Sequence, residues 1–132
     1  MTNLELKNHP VWQDLTEILE NIDANKLVTE HLELCDYKIS GYWDENDEFY
    51  EEVLLPRSLA AKLISSSIGM TGRKRWIQMK FFLEINLINF EVQHIANNSR
   101  KIGELILIYD ENLEFVDENW QININEISRG II

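Results

Sequence analysis

The sequence has a single cysteine, Cys35, so no intramolecular disulfide is available, and a reducing compartment is expected. It has only two prolines and five glycines in 132 residues, and no low-complexity linker. One domain spanning 1–132 is therefore expected, a length that buries a core without covalent staples. Apolar runs are short: none approaches the roughly 20 residues that cross a bilayer. Glu5, Lys7, His9, Pro10 and Asp14 interrupt the first fourteen residues, so no secretory leader is expected there. These absences predict a soluble, cytoplasmic protein. Positive charge is also scarce, with 12 Lys and Arg against 23 Asp and Glu, a net charge of -11 and a pI near 4.6. Nucleic acid and anionic membranes are recognised by clustered Lys and Arg, so neither is expected as the main partner.

What is present is unevenly distributed. Residues 1–52 hold 14 acids against Lys7, Lys26 and Lys38. Residues 53–103 hold only Glu84 and Glu91 against eight bases, and residues 104–132 hold seven acids against Arg129. No aspartate lies between Asp47 and Asp110. With no linker or internal repeat to divide the chain, these blocks read as faces of one domain. The 13 aromatic residues among many Ile and Leu exclude a disordered chain.

Apolar periodicity predicts a helix over about 10–23, with Pro10 at its start and Val11, Leu15, Ile18 and Ile22 on one face. His9 is placed to help start it. Residues 31–43 read as extended, since Cys35, Tyr37 and Ile39 alternate with polar residues. Segments 35–43 and 48–55 form an expected hairpin around Asp44–Glu48. A second helix is expected at about 57–68, from Ala60, Ala61 and Lys62, ended by Gly69. Ile77, Met79, Phe81, Leu83, Ile85 and Leu87 give the strongest strand signal. Phe90–Ile95, Ile102–Tyr109, Leu113–Val116 and an edge strand around Trp120–Ile124 complete the pattern. The fold class is α+β: an antiparallel sheet of five to six strands with two helices, about 10–23 and 57–68, packed on one face.

No catalytic signature emerges. Ser65-Ser-Ser67 lacks a nucleophile-elbow frame, and Gly69–Lys74 lacks phosphate-loop spacing. Calcium loops begun at Asp44 or Asp110 put Phe49 or Phe115 where glycine is needed and Leu55 or Gln121 where glutamate is needed. Gln78-Met-Lys80 has no partner aspartate for nuclease chemistry. His31-x-x-x-Cys35 has helical metal-binding spacing, but an extended segment removes its meaning. A buried structural thiol is the expected state of Cys35. Neither a cofactor nor a metal is implied. Arg73-Lys74-Arg75 beside Trp76 is the one local feature suited to phosphate; with Arg57, Lys62, Lys80, Arg100 and Lys101 these bases are expected instead to pair with the surplus acids or sit solvated.

The segment 43–52 packs six carboxylates and three aromatics into ten residues. Aromatics supply contact area and carboxylates supply steering, the make-up of an interface for a basic partner. Asp110–Trp120 has the same make-up. The two blocks are expected at hairpin tips along one rim of the sheet. The competing reading is a hydrated acidic surface with Trp43 and Trp120 in the core.

With these segments, the chain resembles the immunity proteins of bacterial toxin systems, including contact-dependent growth inhibition. The resemblance implies a tight complex with one toxin domain, often a basic nuclease whose active site is blocked. Asp44, Glu45, Asp47, Glu48, Glu51 and Glu52 would stand in for phosphates, Trp43 and Tyr50 would anchor the contact, and Asp110, Glu111, Glu114, Asp117 and Glu118 would extend it. The expected partner is thus a basic protein, with the chain itself a monomer or homodimer. Two alternatives stay open: a nucleic-acid mimic that blocks a DNA-binding protein, and a small enzyme or ligand-binding domain with a pocket around His94, Glu84 or Tyr109.

Overall fold

A computed structural model describes residues 6–86 and 99–130. The fold is α+β, with helices α1 (Val11–Glu20), α2 (Ala24–Leu34) and α3 (Ile124–Gly130). Strands β1 (Lys38–Trp43) and β2 (Phe49–Leu54) form a two-stranded antiparallel sheet. Strands β3 (Ala60–Thr71), β4 (Lys74–Asn86), β5 (Ser99–Asp110) and β6 (Phe115–Ile122) form an antiparallel four-stranded sheet in chain order. The described strands thus form two sheets, where one sheet of five to six strands was expected.

The alternation read in β4 builds the core. Ile77, Met79, Phe81, Leu83 and Ile85 are buried, opposite Leu105, Leu107 and Tyr109 of β5. Val28 and Leu32 of α2, Ile39, Tyr42 and Val53 of the small sheet, and Ile127 of α3 join the same cluster. Each such side chain contributes about 1.5–3 kcal/mol when removed from water. The opposite face of β4 carries Trp76, Gln78, Lys80, Phe82 and Glu84, each half-buried. There Gly69 lies under the Trp76 ring, and a Cβ at that position would fall 2.2 Å from it.

Helix α1 starts as expected: the His9 Nδ1 accepts the Val11 N–H at 2.9 Å. Three local readings differ from the structure. Segment 57–68 is not a helix but largely β3. Its Ala60-Ala-Lys62 favours helix locally, yet pairing with the long apolar strand β4 decides the conformation. The second main helix lies earlier, at α2, and takes the first residues of the segment read as extended. The Asp23 carboxylate caps it, accepting the Lys26 N–H at 3.1 Å. At its other end Asp36 has a left-handed backbone, and its N–H donates to Glu33 while the Tyr37 N–H donates to Leu32. These are the two bonds of a Schellman stop, so Cys35 caps a helix and does not lie in a strand. The two short strands expected near the C-terminal end are one strand, β6, and Ile124 begins α3. The expected strand Phe90–Ile95 lies outside the described residues.

One seam joins the two sheets. The Tyr42 hydroxyl accepts the Ile122 N–H at 2.8 Å and donates to the Ile122 carbonyl at 3.2 Å. Strand β6 is an edge, so its outward backbone groups need partners. Tyr42 supplies both at this residue.

Candidate functional site

In the first hairpin, Trp43 and Phe49 are cross-strand partners on the face away from Tyr42 and Tyr50. Their ring centroids are 5.0 Å apart. Trp43 is 62% exposed and Phe49 50%. Trp43 therefore belongs to the surface, whereas Trp120 is half-buried beside His31. Around the pair lie the exposed carboxylates of Glu45, Asp47, Glu48, Glu51 and Glu52, with Asp44 half-buried. Lys38, 3.5 Å from Glu52, is a cation within this acidic field.

Two site residues turn inward. The Asp44 Oδ1 accepts the N–H groups of Asn46 and Glu48, each at 2.9 Å, and closes the turn. The Tyr50 hydroxyl donates to Glu48 Oε2 at 3.1 Å and Asp44 Oδ2 at 3.3 Å. Loss of solvation, and then the Glu48 and Asp44 carboxylates, push its pKa up to about 12. Tyr50 stays protonated and braces the turn; Phe49 is the side chain that stands beside Trp43.

The second tip is built the same way. The Asp110 Oδ1 accepts the N–H groups of Asn112 at 2.8 Å and Glu114 at 3.0 Å. Asp47 and Leu113 occupy the same left-handed position, with φ of 62° and 60°. Tyr109 and Phe115 are cross-strand partners, as Trp43 and Phe49 are. The sequences make the correspondence plain: Trp43-Asp-Glu-Asn-Asp-Glu-Phe49 against Tyr109-Asp-Glu-Asn-Leu-Glu-Phe115. A short motif does therefore repeat within the chain.

The tips do not share a rim. Trp43, Asp44 and Glu45 border a groove with residues 101–104 and 119–123. The second tip closes the other end of β5 and β6, seven residues beyond Gly103 and about 23 Å away at roughly 3.3 Å per residue. Five of the eight bases of the middle segment are drawn into ion pairs. Arg57 pairs with Asp36, Arg75 with Glu111, Lys80 with Glu104 at 3.4 Å, Lys101 with Glu104 at 2.8 Å, and Arg100 with Glu126 at 2.8 Å.

Between α2 and β6 lies a cleft of about 680 Å³. Its apolar lining is Leu27, Leu34, Tyr109, Leu113 and Phe115, and its acidic lining is Glu30, Asp117 and Glu118, with His31 and Cys35 beside them. The His31 ring meets the Glu118 carboxylate and stacks on Phe115 with centroids 4.9 Å apart. Burial, and then the Glu30 charge, raises the Tyr109 pKa, which keeps its hydroxyl neutral. His31 and Cys35 do stand one helical turn apart, but Cys35 Sγ faces the Leu32 carbonyl at 3.4 Å. Among the described residues, no three His, Cys, Asp or Glu side chains converge to hold a metal. Phe49 and Phe115 entered the sequence reading only through the make-up of the two blocks, and Leu34 and Leu113 were not singled out, because periodicity alone does not show which apolar residues stay exposed.

Compared with protein-family models, with curated proteins and with solved structures, the chain has no match. Its class rests on its own features: an α+β domain that presents two carboxylate-closed hairpin tips. No described helix is long and apolar enough to cross a membrane.

Proposed function

We propose that this chain is an inhibitory binding protein that neutralises a basic protein partner, in the manner of the immunity proteins of bacterial toxin systems. The Trp43–Phe49 pair, exposed on a carboxylate-rich turn, carries the reading. An exposed tryptophan costs the isolated protein hydration free energy. Covering the open part of Trp43, on the order of 120 Å² of a ring that buries roughly 200 Å², returns about 3 kcal/mol. Glu45, Asp47, Glu48, Glu51 and Glu52 would meet Lys and Arg of the partner and speed encounter. Within this reading Trp43 and Phe49 are the anchors and Tyr50 keeps the turn in shape.

The test is a pull-down of the tagged protein from its source lysate, at low and high salt, with mass spectrometry. The expected result is one stoichiometric basic partner that is released at high salt, where the screening length falls to about 3 Å at 1 M. That partner should be lost on Trp43→Ala, and on joint reversal of Glu48, Glu51 and Glu52 to Lys, with circular dichroism confirming both folds. A partner held equally well by the charge-reversed variant refutes the acidic-hairpin reading.

A further inference from the structure

The cleft between α2 and β6 lies outside the hairpin reading, and its make-up is unfavourable for a free surface. Leu34 ends α2 with 86% of its surface exposed. Leu113 is 41% exposed and holds a backbone φ of 60°. A bulky aliphatic residue is a true outlier there, and such strain persists only where something else holds it. The equivalent position of the sister turn is Asp47, which suits both the backbone and the solvent. Phe115, half exposed, continues the apolar lining. Contiguous exposed apolar surface with a polar rim marks an interaction site. The acidic lining here is Glu30, Asp117 and Glu118, and among the described residues no Lys or Arg lines the cleft.

We propose that this cleft docks a basic amphipathic segment of a protein partner, with apolar side chains on Leu34, Leu113 and Phe115 and Lys or Arg on Glu30 and Asp117. Charge decides the occupant. An acidic segment, or the acidic tips of a second copy of this chain, would meet like charge in the cleft. A segment with one apolar stripe and flanking cations meets apolar lining and carboxylate at once, as helix-in-groove recognition requires. The proposal is independent of the Trp43 surface.

Cys35 makes the test direct, because the only thiol of the chain lines the cleft. The probe is a synthetic leucine–lysine peptide with a helical apolar stripe, and the readout is the rate of Cys35 alkylation by iodoacetamide. With peptide at about ten times its dissociation constant, roughly one site in eleven stays open, so alkylation slows about tenfold. The slowing should disappear in Leu34→Lys, which keeps its fold because Leu34 is exposed, and should persist in Trp43→Ala. Four results overturn the proposal. They are an unchanged rate with the peptide, equal slowing by a leucine–glutamate counterpart, loss of slowing in Trp43→Ala, and a Leu34-dependent dimer by sedimentation velocity. The last would assign the cleft to a second copy. Failure of the hairpin reading is seen separately, in the pull-down.

Discussion

Replacing Tyr42 by Phe removes one oxygen and leaves the packed ring in place. That oxygen takes part in both hydrogen bonds at Ile122, at 2.8 and 3.2 Å. Tyr42 and Ile122 are 8% and 5% exposed, so water does not replace what is lost. A net hydrogen bond is worth about 1 kcal/mol, and a buried donor left without a partner costs about 1–3 kcal/mol. The expected loss is about 2 kcal/mol. For 132 residues the unfolding entropy is about 0.28 kcal/mol/K, so Tm falls by about 7 °C. Tyr50→Phe is the control. Its hydroxyl also makes two hydrogen bonds, but they lie at the rim of an exposed turn. Its cost should be far smaller than that of Tyr42→Phe. Urea and thermal melts followed by circular dichroism give both values. A Tyr42→Phe loss below about 0.5 kcal/mol, or a Tyr50→Phe loss equal to it, refutes the view that this buried seam docks the small sheet.

Gly69→Ala sets a methyl against the Trp76 ring and should destabilise by about 1–3 kcal/mol; the cost should shrink in a Trp76→Ala background, as a double-mutant cycle by urea melts will read. The Glu104 carboxyl is held below its usual range by the Lys101 hydrogen bond, with Lys80 adding to it against the cost of desolvation. Its stabilisation is complete above the unfolded carboxylate value and is lost as pH falls through the lowered folded value. The Tm gap between wild type and Glu104→Gln should therefore close in acid, as thermal scans from about neutral to about pH 2 would record. Leu113→Asn relieves the left-handed backbone and should raise stability by about 0.5–1 kcal/mol in urea melts, while weakening the leucine–lysine peptide. Trp43→Ala with Phe49→Ala should leave Tm within about 2 °C, because neither ring enters the core, yet abolish partner capture in the pull-down.

The strands with one buried face were legible in the chain. Ile77 to Ile85 alternate because their partners leave one face in the core, and the hairpin around Asp44–Glu48 follows from turn residues between alternating segments. The local signals near Ala60 and Asp23 misled for opposite reasons. Ala60-Ala-Lys62 favours helix by propensity alone, and the non-local pairing with β4 makes it strand. Asp23 reads as the end of the first helix, but α1 stops at Glu20 and the Asp23 carboxylate starts α2. Acidic candidates were legible because charge is rarely buried. The apolar half of the surface was not: Leu34 continues the polar–apolar pattern of α2, and only its position at the last turn leaves it in solvent.

Strand β3 bears on colloidal behaviour. It is an outer strand, and from Leu63 to Thr71 it carries no charge, with a bulge between Leu63 and Ser65 as an interruption. A long uncharged edge is a template for pairing with other chains. Copies are held apart by the carboxylates elsewhere on the molecule, through long-range repulsion that salt and acid both weaken. The acid-rich tips thus also act as a dispersant for a distant part of the fold, and precipitation should set in as pH approaches 4.6, where that repulsion vanishes before the fold is lost.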